Sequence, residues 1–263
     1  MRHDFSYNIN PDLKPLFAKV LDRFFLCEYK GITTFTDFYD PAKWTAFNDI
    51  LSRQTQRQGL SIETFGGAEN CERRMLGFFS VKEESVTFPI VRLRISHNAK
   101  FNKTPRHQDY LGSILGLGFD RGRIGDIFIS EEKGYGEVFV CKDIADYICS
   151  QLEKIGRVPV KVKTISEKME DIIRPQEVEG QLNVASLRLD VVVAALFKLS
   201  RGQASALIGA EKVFINWSPC TDGGKQIKAG DMITLRGQGR ARVGEILGTT
   251  KKDRLRLAVF RAK

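Results

Sequence analysis

The chain has 263 residues, 42% hydrophobic and 28% charged, with 41 Lys and Arg against 32 Asp and Glu and a net charge of +9. That is enough chain to bury a core in one to three domains, with the balance of an ordinary globular protein. No apolar run approaches the ~18 residues of a membrane-spanning helix, and Met1-Arg2-His3-Asp4-Phe5 lacks the apolar stretch of a signal peptide, so the expectation is a cytoplasmic protein with no membrane partner.

The first eighty residues read as an α/β unit. Leu13, Leu16, Phe17, Val20, Leu21, Phe24 and Phe25 recur at helical spacing up to Lys30-Gly31. A phenylalanine-rich stretch, Thr33 to Tyr39, leads into Asp40-Pro41, an N-cap followed by proline at the first helical position. That second helix should run to about Gln58 and stop at Gly59. Leu60 to Phe65 reads as a strand, Gly66-Gly67 as a turn and Ala68 to Leu76 as a further helix. The aromatic stripe is read as core, since large rings dominate core burial.

The middle of the chain alternates between the two periods. Val86 to Ile95 reads as a strand, His107 to Leu115 as a helix, Asp126 to Ser130 and Glu137 to Cys141 as strands, and Lys142 to Ile155 as a helix. Val158 to Ile165 is a last strand, with Val158, Val160 and Val162 on one side. The order β-α-β-β-α-β is that of ferredoxin-like and RNA-recognition-motif folds. Lys133-Gly134-Tyr135-Gly136 followed by Val138 matches half of the RNP1 pattern, but Glu137 and Val140 stand where stacking rings belong, so the segment is read as a glycine-rich hairpin turn. Gly116, Gly118 and Gly122 follow a helix rather than a strand, so they read as a helix stop and turn, not a dinucleotide loop.

Residues 167–181, charge-rich and carrying Pro175, read as a linker or helix. From residue 182 onward the pattern is denser. Arg188-Leu189-Asp190 opens a helix whose Leu189, Val192, Val193, Leu196 and Phe197 share one face. Ser200 followed by Gln203 is a capping box, which starts a second helix at about Arg201, expected to pack roughly face to face with the first. The free N–H groups and positive dipole end there favour a phosphate. Val213-Phe214-Ile215-Asn216 is β-like, and Gly230-Asp231 turns into Met232 to Arg236. The tail is a hairpin, with Val243 to Leu247 and Arg254 to Arg261 joined at Thr250 to Asp253. It should place Leu255, Leu257 and Val259 on one side and Arg254, Arg256 and Arg261 on the other. Charge is uneven: residues 182–263 carry 15 Lys and Arg against 6 Asp and Glu, whereas residues 1–181 carry 26 of each sign. A basic module on a neutral carrier is the electrostatic footprint of nucleic-acid binding.

The succession of Arg188-Leu189-Asp190, Ser200-Arg201, Ala204, Leu207-Ile208, Val213, Ile215-Asn216 and Gly230-Asp231-Met232-Ile233 resembles the S4 RNA-binding domain. Two positions depart from its pattern: Glu211 and Trp217 stand where it has glycine. Further upstream, His107 to Gly112, Leu115-Gly116-Leu117-Gly118, Arg121 and Ile124-Gly125-Asp126-Ile127 are joined by Phe65-Gly66-Gly67 and Glu72-Arg73. With the S4 pattern behind them, they resemble the YlmH family of bacterial proteins over nearly the whole chain. The fold class expected is α+β in three small domains: an N-terminal α/β unit at 1–82, a ferredoxin-like domain at 83–166 and, after the linker, an S4 domain at 182–263.

The resemblance implies a non-enzymatic protein that docks on structured ribosomal RNA. It further implies the large (50S) subunit carrying an obstructed peptidyl-tRNA, in ribosome-associated quality control, with tRNA a second candidate contact and the protein acting as a monomer. Arg188, Arg201, Lys212, Arg236 and Arg240 would neutralise phosphates, Asp190 would hold one of the guanidinium groups, Ser200 and Gln203 would order the helix start, and Asn216 completes the set. The alternative is an RNA-modifying enzyme with its active site in the first two domains; a third reading is a protein-interaction scaffold. Against catalysis, the one Arg-Leu-Asp lacks the threonine of pseudouridine synthases, no glycine-rich loop follows a strand as a methyltransferase needs, and no nucleophile pairs with a base. Five scattered cysteines (Cys27, Cys71, Cys141, Cys149, Cys220) read as reduced thiols, and His3, His97 and His107 offer no metal-ligand spacing, so neither metal nor cofactor is expected.

Overall fold

The N-terminal apolar stripe forms helix α1 (Lys14–Lys30), which stops at Gly31 in the left-handed region (φ +63°). The computed structural model describes residues 9–55, 59–83, 85–99, 102–166 and 177–262. The chain separates into two compact units, Met1–Arg174 and Pro175–Lys263.

In the first unit, β1 (Thr34–Phe35), α2 (Pro41–Thr55), β2 (Leu60–Phe65) and β3 (Met75–Ser80) follow α1. Asp40 caps α2 by accepting the Lys43 backbone N–H at 3.1 Å. The expected end of α2 at Gln58 lies outside the described residues, and Gly59 follows at φ +67°. The strands pair in the order β1-β3-β2, and both helices bury Phe17, Phe24, Phe47 and Leu51 with Leu76 and Phe78.

One expectation fails in this region. Ala68 to Leu76 is not a helix: an irregular turn precedes β3, which pairs antiparallel with β2 from Phe65↔Met75 to Leu60↔Ser80. The Asp126 carboxylate accepts the backbone N–H groups of both Glu72 and Arg73, which removes donors a helix would use. Met75 to Phe79 is buried without a break, as a strand covered on both faces requires.

The remainder of the unit runs β4 (Ile90–His97), α3 (His107–Leu115), β5 (Ile124–Ser130), β6 (Tyr135–Cys141), α4 (Lys142–Gln151), β7 (Lys154–Ile155) and β8 (Val158–Ile165). The sheet order β5-β6-β4-β8-β7 is antiparallel throughout, and its first four strands have the ferredoxin-like arrangement expected of β-α-β-β-α-β. Helix α4 is shorter than the expected Lys142 to Ile155, because Lys154 and Ile155 pair with Pro159 and Val158. The first strand begins at Ile90, not Val86, directly after Pro89, which has no N–H to give a ladder. The core around α3 and α4 also takes Phe38, Ala68, Cys71 and Met75, so the boundary expected at 82/83 falls inside a continuous apolar cluster.

The second unit comprises β9 (Glu177–Val184), α5 (Leu189–Leu196), α6 (Arg201–Gly209), β10 (Val213–Ile215), β11 (Ser218–Pro219), β12 (Met232–Leu235), β13 (Gly239–Thr249) and β14 (Leu255–Ala262). These strands form one sheet in the order β11-β10-β12-β13-β14-β9. The linker expected at 167–181 falls outside the described residues up to 176, and its last five residues belong to β9, paired with β14 from Glu177↔Ala262 to Val184↔Leu255. Helices α5 and α6 cover one sheet face, burying Leu189, Val192, Val193, Ala204 and Ile208 against Val213, Ile233, Leu235, Val243, Leu257 and Val259. The chain turns by 112° between them, so they cross closer to perpendicular than face to face. Among the described residues, no single helix is long and apolar enough to cross a membrane.

Candidate nucleic-acid interface

Helix α6 starts as the sequence requires. Ser200 Oγ accepts the Gln203 backbone N–H at 3.2 Å, and Gln203 Oε1 accepts the Ser200 backbone N–H at 2.9 Å. This reciprocal cap places Arg201 at the first helical position, beside the start of α5. There Asp190, 5% exposed, accepts from Arg188 Nε at 3.1 Å, from an Arg188 terminal nitrogen at 3.3 Å and from an Arg201 terminal nitrogen at 2.8 Å. Burial by itself pushes the Asp190 carboxyl up, but the hydrogen bonds from Arg188 and Arg201 outweigh it and hold the group below its ordinary value. Asp190 therefore stays ionised and fixes two guanidinium groups whose side chains remain 46% (Arg188) and 66% (Arg201) exposed. Each guanidinium carries five N–H donors, so both keep donors facing solvent after binding Asp190. The loop after Cys220 braces this corner: Leu189 N–H donates to Lys225 O, Asp190 N–H to Gly223 O and Ile227 N–H to Leu187 O.

The other residues expected at the site lie elsewhere in the unit. Asn216 occupies a two-residue hairpin tip between β10 and β11, where its Oδ1 accepts the Met232 backbone N–H at 2.9 Å and its Nδ2 donates to Asp231 at 2.8 Å. It fixes the start of β12 rather than joining the arginine corner. Asn216 and Trp217 both have positive φ (+47° and +66°), the geometry of a type I′ turn. Glu211 also has positive φ, at +55°. The two residues that replace glycine in the S4 pattern thus keep the backbone shape that favours glycine.

Lys212 and Arg236 are brought together, since Arg236 N–H donates to Lys212 O. The Arg236 guanidinium lies over the Phe214 ring, 5.3 Å from its centre. Arg240 stands opposite Thr234, which stands opposite Phe214, so these residues share the sheet face turned away from α5 and α6. Sequence reasoning missed Arg242 on the same face, 4.3 Å from the centre of the Phe260 ring; its spacing of two from Arg240 was the available signal. Arg261 was expected beside Arg254 and Arg256, but it has the parity of Leu255, Leu257 and Val259. It turns inward and donates to Leu196 O at 2.7 Å.

In the first unit, the RNP1-like segment forms a hairpin turn at Gly134 (φ +66°). The Arg94 guanidinium lies 4.4 Å from the Tyr135 ring centre and donates to the fully buried Glu137 at 2.8 Å. The buried Glu137 carboxylate, paired with the partly exposed Arg94, thus occupies the position of the second stacking ring. The family-like motif residues hold the fold together. Arg73 donates to Phe38 O and Ile124 O, and Arg121 donates to Ile124 O and Gly125 O. Burial, with Arg73 alongside, pulls Arg121 down to about 10.

Comparison with known proteins agrees with this layout. Residues 83–169 match the family model described as the putative RNA-binding domain in YlmH, and residues 187–233 match the S4 domain. The chain is 32% identical over 232 residues to ribosome-associated protein quality control protein P2 of Bacillus subtilis (strain 168), covering 87% of each. The fold resembles that of cell division protein ylmH from Streptococcus pneumoniae, with a TM-score of 0.51 at 20% identity, covering 63% of this chain and 98% of that one. On the identity and coverage of the Bacillus relative, and on the matched domain that bears the family's name, this chain belongs to the YlmH family.

Proposed function

We propose that this protein binds structured ribosomal RNA through its S4 domain, without catalysing a reaction on it. The observation that carries the reading is the corner in which Asp190 holds Arg188 and Arg201 half-exposed beside a capped helix start. Two fixed guanidinium groups around one carboxylate leave a net positive site suited to a phosphodiester backbone. Ser200 and Gln203 hold the helix start in shape, whereas Lys212, Arg236, Arg240 and Asn216 lie outside this corner. The relative from Bacillus subtilis is named for ribosome-associated quality control, which supports a ribosomal target; the target in this reading is the 50S subunit carrying an obstructed peptidyl-tRNA. In this reading the protein acts in the cytoplasm as a monomer, with tRNA within reach. The test is co-sedimentation of the full chain with 50S subunits, wild type against Arg188→Ala/Arg201→Ala. Loss of the pelleted fraction is expected; equal pelleting overturns the assignment. Mass analysis of rRNA from cells lacking the protein should show every modification retained.

A further inference from the structure

The outward face of the second unit's sheet has its own chemistry. By register, one row reads Phe214, Thr234, Arg240 and the next Met232, Arg242, Phe260, with the rows on the order of 7 Å apart along the strands. Two arginine–phenylalanine pairs result, Arg236 over Phe214 and Arg242 over Phe260. Arg236 and Arg240 are exposed and both rings are half-buried. Gly244 leaves room for the Phe260 ring, since a Cβ there would meet Ala258 and the ring at 2.8 Å. Glu179, on this face by register, sits in β9 at the edge of the sheet.

We propose that this face is a second RNA contact, distinct from the Asp190 corner, which stacks unpaired nucleotides of a single-stranded segment. Guanidinium planes backed by half-buried rings offer a base a stacking surface and its phosphate a positive charge, whereas a base-paired helix hides the base faces. The inference goes beyond the S4-corner reading, because it needs rings and cations on a sheet rather than a helix start.

The full chain is titrated into a 2-aminopurine-labelled RNA oligonucleotide, single-stranded or closed into a hairpin. Fluorescence quenching and tighter binding of the single strand are expected. Phe214→Leu and Phe260→Leu keep apolar bulk, and each should weaken single-strand binding about fivefold or more and abolish quenching. Arg240→Gln, an exposed change, should weaken it about threefold or more. Melting curves establish that the variants are folded. If both leucine variants quench and bind as wild type does, or if only the arginine change matters, the stacking face is disproved. Arg201→Ala separates the two readings: it should spare single-strand quenching while reducing 50S co-sedimentation.

Discussion

Arg201, the first residue of α6, donates to Asp190 in the first turn of α5 at 2.8 Å, so one carboxylate ties together the starts of both helices. Arg188 closes on the same carboxylate from the residue before α5. The residues that carry the positive charge are therefore also part of the packing that shapes the domain.

Replacing Asp190 with alanine removes acceptors from two arginines and from the Val191 backbone N–H. A loss of about 1–3 kcal/mol is expected, with the discount due to arginines that stay half in water. Trp44 and Trp217 lie one in each unit, so urea melts followed by fluorescence in a Trp44→Phe background report the second unit. The pH dependence has a definite sign. Because the folded carboxyl sits below its ordinary value, its stabilisation is full above about pH 4 and is lost as pH falls through the lower folded value. The gap in melting temperature between wild type and Asp190→Asn should close in that acid range.

Arg201→Ala should lower the slope of log affinity against log salt for folded RNA by about one unit, the signature of one lost phosphate contact. Filter binding from low to moderate salt measures it. An unchanged slope would assign Arg201 to structure alone.

Glu211 holds a left-handed backbone at φ +55° on the exposed surface. A side chain there costs about 1 kcal/mol relative to glycine, less the entropy glycine loses on folding. Glu211→Gly should therefore raise the denaturation midpoint of the second unit slightly, and removing a negative charge beside Lys212 should tighten RNA binding. A drop in the midpoint would show that the Glu211 side chain makes a contact worth more than the strain.

Gly67, at φ +100°, has no room for a side chain: a Cβ would lie 2.2 Å from the Phe139 ring. Gly67→Ala should destabilise the first unit by at least about 2 kcal/mol, read as an earlier transition in thermal melts. The second unit's transition should not move, since the contact lies wholly within residues 1–174.

Much of this protein was determined by short stretches of chain. The α1 stripe, the Asp40-Pro41 start of α2, the Ser200–Gln203 capping box and the tail hairpin depend on residues a few positions apart, and the order of elements in 90–165 was enough to name the ferredoxin-like arrangement. The concentration of positive charge in the last third needed only counting.

Tertiary structure decided what depends on distant partners. Met75–Ser80 became a strand because β2 pairs with it and because Asp126, more than fifty residues away, takes the N–H groups that a helix would have used. Residues 177–181 became sheet because β14 offered its edge. Asp190 could be matched to a motif, but only the packing of α5 against α6 placed Arg188 and Arg201 on the same carboxylate. The physical reason is common to all three. Local periodicity and capping use bonds within one turn or hairpin, whereas a strand's identity and a charge cluster's geometry are set by donors, acceptors and apolar faces that only the folded chain brings within reach.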